Sequence, residues 1–196
     1  FIFEYSSSAW QTTAAAAITG YSDTSMFGID VDIQGNYAIV GSELPDAGKV
    51  HIFAYSTGSG WSTTADTVLT GPSGVESFGK YVALSDTYAF IGSDSAKAYI
   101  YALSGSTWGS TASASLTAYT SETGFGKAVA ITDSWAVTGA SDSNKVFIFA
   151  CSSGSWGATA TATISKDDAS SFGSAVDIAP NNNYILVSAS SSAIAY

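Results

Sequence analysis

The chain has 196 residues, 46% hydrophobic and 11% charged, with 16 acidic against 6 basic side chains and a formal net charge of −10. That length suits one domain or part of a repeat array and can bury a sizeable core. The acidic balance argues against a nucleic-acid partner, which would need a basic surface to displace counterions. No run approaches the ~20 apolar residues of a membrane-spanning helix, so direct membrane insertion is not expected.

The chain opens on Phe1-Ile2-Phe3-Glu4-Tyr5 in mid-pattern and without an initiator Met, which points to a processed or incomplete chain. From Trp10 onward a unit of about fifty residues recurs, opened in turn by Trp10, Trp61, Trp108 and Trp156. Eight positions after each Trp stands Ile18, Leu69, Leu116 or Ile164. A Phe-Gly pair follows 16 or 17 residues after the Trp, as Phe27-Gly28, Phe78-Gly79, Phe125-Gly126 and Phe172-Gly173. An aromatic comes next (Tyr37, Tyr88, Trp135, Tyr184), and four residues later Gly41, Gly92, Gly139 or Ser188. Aromatic-rich stretches at 49–55, 97–103 and 145–151 close the units, and Phe1–Tyr5 matches the same stretch. The repeats run over approximately 10–55, 61–103, 108–151 and 156–196, with 1–5 an extra outer-strand copy, in one unit spanning 1–196.

Each unit reads as four short strands with turn-rich connections. The first strand lies near 14–19, 65–70, 112–117 and 160–165. The second begins at the Phe-Gly pair and alternates bulky with small residues, as suits a strand closely approached by neighbouring backbone. The third (YAIVGS, YAFIGS, WAVTGA, YILVSA) is apolar on both faces and must be covered on both sides. Between the second and third lie short turns at Gly35-Asn36, Ser85-Asp86 and Thr132-Asp133-Ser134. No segment has a helical period. The expected fold class is therefore all-β: a β-propeller of four-stranded antiparallel blades, four repeats present, standing alone or as part of a larger propeller or array. A β-solenoid is the second reading, although its coils usually repeat at shorter periods.

The order Phe-Gly, Val129-Ala130-Ile131, a short turn, then aromatic-x-V-x-G-A/S resembles the FG-GAP repeat over nearly the whole chain. That family builds the propellers of integrin α-subunits and of many secreted bacterial and algal proteins. Its GAP element remains only as Gly41-Ser42, Gly92-Ser93, Gly139-Ala140 and Ser188-Ala189. The preceding W…A-x-L stretch looks like the variant of tandem surface-protein arrays. Many FG-GAP blades carry a D-x-D-x-D-G calcium loop between the second and third strands. Here that loop is a tight turn with Asp86 or Asp133 as its one carboxylate, too few oxygens for a hard cation. The family's calcium role is not carried over, and no cofactor is expected.

Weak metal candidates are Asp94 and Asp142, which follow the GS/GA element in S-D-S contexts. Glu43 and Asp46 occupy the equivalent longer loop, and Asp23, Glu76, Glu122, Asp167 and Asp168 precede the Phe-Gly pairs. Their competing reading is solvated turn chemistry. His51, the one histidine, stands where Tyr99 and Phe147 stand in later repeats, and Cys151, the one cysteine, replaces Tyr55 and Leu103. Both read as packing residues, and neither a Ser-His-Asp nor a Cys-His set has support. No feature singles out a carboxylate pair for glycoside hydrolysis. Four periodic Trp suggest either sugar stacking or, given their regularity, a shared structural role.

Ser and Thr exceed a quarter of the chain while Lys and Arg are scarce. That bias favours an exported or cell-surface protein. The expected function is a non-enzymatic structural, adhesive or assembly module working through protein partners or self-association, with a filament among its forms. The alternatives are a carbohydrate-binding propeller or an accessory propeller of a larger secreted enzyme. The terminal copies at Phe1–Tyr5 and Ser192–Tyr196 would compete for one edge position in a four-bladed ring. The chain is therefore a segment of a larger propeller, or pairs with a neighbour, or leaves one copy loose.

Overall fold

The computed structural model describes residues 1–19, 26–43, 48–118, 122–181, 183–189 and, for the backbone, 194–195. The chain is all-β: among the described residues the one helical segment is a 3-10 turn at Ser141–Ser143. It begins with a hairpin of β1 (Tyr5–Ser6) and β2 (Ala9–Trp10). Sheet I comprises β3 (Phe27–Gln34), β4 (Tyr37–Ser42), β5 (Lys49–Ser56), the short β6 (Gly60–Trp61) and β7 (Thr67–Thr70). Sheet II repeats it with β8 (Tyr81–Leu84), β9 (Tyr88–Gly92), β10 (Lys97–Ser104), β11 (Thr107–Trp108) and β12 (Ala114–Thr117). Sheet III has β13 (Phe125–Ile131), β14 (Trp135–Ala140), β15 (Lys145–Ser152), β16 (Ser155–Trp156) and β17 (Ala162–Ser165). Sheet IV holds β18 (Phe172–Ile178), β19 (Ile185–Ala189) and β20 (Ile194–Ala195).

Every pairing is antiparallel, and the order in sheets I to III is the same: innermost strand, second strand, third strand, then an outer strand beside a two-residue hairpin. The outer strand β7 pairs with β5, with Val50 opposite Leu69. The sheets thus cut the sequence differently from the repeats read from Trp to Trp. The stretch at 65–70, which opens the second repeat, is the outer edge of sheet I. Each sheet therefore runs from a Phe-Gly pair to the A-x-L stretch of the following repeat, because a short hairpin ending in Trp returns the chain onto the strand it has just left.

Successive sheets stack through their apolar faces. Ile39, Ile52 and Leu69 of sheet I share a core with Phe78, Ile91, Tyr99 and Trp108 of sheet II. A second core joins Phe90, Ile100 and Leu116 to Phe125, Phe147 and Phe149, and a third joins Val137 and Val146 to Phe172, Ile178 and Val187. In sheets I to III both faces of the strand read from sequence as the third (β4, β9, β14) are buried as its residues require, with the four residues after Tyr88 all buried. Glycine permits the close approach. A Cβ on Gly41, Gly92 or Gly139 would lie 1.9–2.0 Å from the carbonyl oxygen of Gly79, Gly126 or Gly173 in the following sheet. Those partner glycines all have φ between 87° and 92°, closed to most side chains. The Phe-Gly pair is thus a joint, in which Phe fills the core and Gly lets two backbones meet.

Candidate functional site

The four innermost strands line an open groove of about 520 Å³. Val31 and Asp32, Val82 to Asp86, Val129 to Ser134 and Val176 to Ile178 line it, so all four repeats contribute the same columns. At one end the short turns hold each other. Gln34 Nε2 donates to Asp86 Oδ1 at 2.9 Å, and Thr87 donates to Asp133 Oδ1 from its backbone N at 3.2 Å and its hydroxyl at 2.9 Å. Asp86 and Asp133 therefore clamp the turn of the preceding sheet.

Two carboxylates that the sequence reading passed over do similar work deeper in. Asp30 Oδ2 accepts from Val82 N at 2.8 Å and Asp32 Oδ2 from Leu84 N at 2.7 Å, tying β3 to the open backbone edge of β8. Burial pushes the Asp30 carboxyl above its ordinary range, against the lowering pull of the N–H donors, and the Asp32 charge adds to the rise. The available signal was the V-D-I of 31–33 and 176–178, where the middle repeats carry Val82-Ala83-Leu84 and V-A-I. A charged residue in an alternating apolar strand marks a position with a fixed hydrogen-bond partner.

On the opposite end face, Asp94 and Asp142 stand apart in different sheets. Asp94 Oδ2 lies 2.8 Å from Lys80 Nζ and Asp142 Oδ2 lies 2.9 Å from Lys127 Nζ. Glu43 lies 3.6 Å from Lys80, and Lys145 pairs with Glu122. The aspartate hydrogen bonds are the main cause that raises both Lys80 and Lys127 above the ordinary lysine value. The structure thus gives these acids lysine partners. Glu76 is exposed and its backbone N–H donates to Ser95 Oγ at 2.7 Å; Asp167 and Asp168 are exposed. Asp23 and Asp46 lie outside the described residues. Among the described residues, no three His, Cys, Asp or Glu side chains gather closely enough to hold a metal ion.

His51 is buried, its ring 5.3 Å from Phe27 and its Nε2 3.5 Å from Ser42 Oγ. Cys151 Sγ lies 3.6 Å from the Tyr88 hydroxyl, and that contact is the main cause raising the Tyr88 phenol. The two side chains sit in different sheets. Phe78, Phe125 and Phe172 are fully buried, whereas Phe27 is half-buried and Gly28 has open space around it. The four Trp differ in the same way. Trp108 packs edge-on against Tyr37 at 5.4 Å and Trp156 against Tyr88 at 5.2 Å, each reaching the preceding sheet. Trp61 is half-buried and Trp10 is 70% exposed, in ring contact with Tyr55 and Tyr5 of their own hairpins.

No protein-family model matches this sequence, and no curated protein matches it. The likeness found is one of fold. A solved structure, described as the crystal structure of the computationally designed Ika4 protein, is similar over 95% of this chain and 97% of that chain. Its TM-score is 0.60 and its sequence identity 13%. A chain of nearly matching extent thus reaches a similar all-β fold with a largely different sequence.

The ends of the sheet series are the remaining feature. On sheet I, Val31 is 62% and Ile33 52% exposed; on sheet IV, Tyr184 is 78% and Leu186 57% exposed. Between the N-terminal segment and sheet I lies a second cavity of about 530 Å³, lined by Phe1, Phe3, Ile18, Phe27, Val31 and Ile39 among others. Among the described residues, sheets I and IV do not pack on each other as their neighbours do.

Proposed function

We propose that this chain is a β-propeller module of FG-GAP-like blades, working outside the cell as a non-enzymatic structural, adhesive or assembly unit. The observation that carries the reading is the repeated joint with its two open ends. Each internal face is closed by the next sheet, and the same apolar columns stand uncovered on sheets I and IV. Surfaces of that kind are made for another protein. The acids that chemistry would require are engaged otherwise: Asp86 and Asp133 clamp turns, Asp30 and Asp32 hold backbone, and Asp94 and Asp142 meet lysines. The resemblance to FG-GAP repeats and the Ser/Thr-rich composition support an exported, surface setting. Fold alone does not assign the role, so the test is functional. Surfaces coated with the chain should hold a protein ligand or further copies saturably. A hydrolase activity abolished by Asp133→Asn or Asp177→Asn would overturn the reading.

A second reading has its own observation. Tyr5 with Trp10 and Tyr55 with Trp61 form exposed or half-exposed ring pairs at hairpin tips, a geometry suited to stacking on a sugar face. Saturable binding on a glycan array, lost in Trp61→Ala, would favour a carbohydrate-binding propeller.

A further inference from the structure

We propose that two copies of this chain close end to end, the segment Phe1–Ile18 of each supplying the outer strands that complete sheet IV of the other. The inference rests on the assembly reading above and names its partner.

The N-terminal segment is the outer half of a sheet. Its hairpin pairs Tyr5 with Trp10 and Ser6 with Ala9, the register of Leu103 with Trp108 and Ser104 with Thr107, and of Cys151 with Trp156 and Ser152 with Ser155. The bridge from Ile2 to Ala16 repeats Ile100 with Ala114 and Ile148 with Ala162. Phe1–Tyr5 therefore stands as a third strand and Ala14–Ile18 as an outer strand. Among the described residues no first or second strand lies beside them.

Sheet IV is the inner half. Among the described residues it has β18, β19 and two residues of β20, which pair with Ser188 and Ala189. In sheet III the rest of that edge is filled by Trp135 opposite Ala150, Ala136 opposite Phe149, Val137 opposite Ile148 and Thr138 opposite Phe147. The same register sets Tyr184, Ile185, Leu186 and Val187 opposite Glu4, Phe3, Ile2 and Phe1 of a second copy. That register abuts the pairs β20 makes at Ser188 and Ala189, and Phe1 takes the position opposite Val187 that follows directly on Ala195 in the ladder. Among the described residues, each copy thus presents an outer half without inner strands and an inner half with an open edge.

The side chains agree. Tyr37 and Tyr88 are each covered by the Trp of the following sheet, Trp108 and Trp156. Continued across the seam, the rule places Trp61 of one copy on Tyr184 of the other, and Trp10 on Trp135. Trp10 and Tyr184 are 70% and 78% exposed, and both would be covered. Asp177 occupies the column of Asp32. Its Oδ1 accepts from Ile178 N at 2.8 Å, while Oδ2 has no partner among the described residues. Asp32 uses that second oxygen to hold Leu84 N of the next sheet; the matching residue on sheet I is Ile33, whose N–H in the single chain donates to Asp32 Oδ1 at 2.7 Å. The cavity between Phe1, Phe3 and sheet I receives the incoming β18 and β19.

Such a contact joins unlike surfaces, so it either closes or runs on into a fibre. Two copies bring eight innermost strands, the upper end of the common propeller range; three would exceed it. One residue limits the seam. Ser188 stands where Gly41, Gly92 and Gly139 accept the next glycine carbonyl, so this joint cannot close to the internal distance and is the weakest in the ring.

The test is sedimentation and light scattering of the 196-residue chain at high salt, which screens the like charges of the copies. The expected species is a dimer, about twice the 20.0 kDa chain mass. Trp10→Ser and Tyr184→Ser, both at exposed positions, should keep the circular dichroism and weaken the dimer by about tenfold or more; Ser188→Gly should tighten it. With Cys151 replaced by Ser, the pair Ile2→Cys and Leu186→Cys should form a disulfide between copies, since paired strands bring Cα atoms within the span of a disulfide. A chain that stays single at every concentration, that forms this disulfide within one copy, or that grows into open fibres overturns the inference. A single chain that still holds a protein ligand saturably leaves the assembly reading intact. A dimer that binds glycans saturably overturns that reading and keeps the pairing.

Discussion

Trp108 and Trp10 occupy the same place in the same hairpin, yet one is 4% and the other 70% exposed. Phe125 and Phe27 differ likewise, the first enclosed by Phe147 and Phe149, the second leaning on His51 at an open end. The middle sheets and the end sheets share one sequence pattern. What separates them is whether a following or preceding sheet is present. Burial in a repeat is conferred by the neighbour, so one motif yields core in the middle of the series and contact surface at its ends.

The largest effect that would break this comparison is at the Phe-Gly joint. Phe125→Ala should cost about 3–5 kcal/mol, because it empties a site closed on both sides. Phe27→Ala should cost about 1–2 kcal/mol in the single chain, in proportion to its half-burial. Urea melts at low protein concentration would measure both. Equal losses would mean that the end sheet is as enclosed as the middle. Close behind comes Gly92→Ala, whose new Cβ would meet the Gly126 carbonyl oxygen at 2.0 Å. Neither atom belongs to a flexible side chain, so the sheets must part, at about 1–3 kcal/mol or more. An alanine at Gly28, where nothing lies within 4 Å, meets no such neighbour, and its cost is set by a φ of 87° alone.

A smaller effect belongs to the end-face ion pairs. The Lys127–Asp142 pair is 33% and 49% exposed, so Lys127→Ala should cost no more than about 1 kcal/mol and less in salt. A loss that salt does not reduce would show that the lysine stem, not its charge, carries the contact.

The sequence made the repeat, the strand positions, the tight turns and the apolar third strand legible, because all of these are local and written several times over. His51 and Cys151 read as packing residues, and both sit in packed surroundings. Three things were not legible. The sheet boundary fell inside the repeat as read from Trp to Trp, since hairpin return decides which strand is outermost and periodicity has no natural origin. The lysine partners of Asp94 and Asp142 lie 14 and 15 residues back, Lys80 just before β8 and Lys127 on β13. The work of Asp30 and Asp32 depends on a backbone edge 52 residues further on, which no spacing rule reveals.

Asp30 offers the finest test of the joint between sheets I and II. Its carboxyl is half-exposed, yet burial raises its affinity for the proton above that of the unfolded chain. The folded state therefore binds that proton more tightly. This contribution is fully present below the unfolded carboxylate value and is lost as pH rises through the folded one. Every other acid is common to the parent and to Asp30→Asn, so their difference isolates the effect. The parent should gain stability relative to Asp30→Asn as the solution is taken from neutral into the acid range, where carboxylates protonate. Urea midpoints of both chains across that range would measure it. A relative gain in the opposite direction would mean that the hydrogen bonds from Val82 and Val31, which favour the ionised form, outweigh burial, and that the innermost seam between the sheets is held by charge.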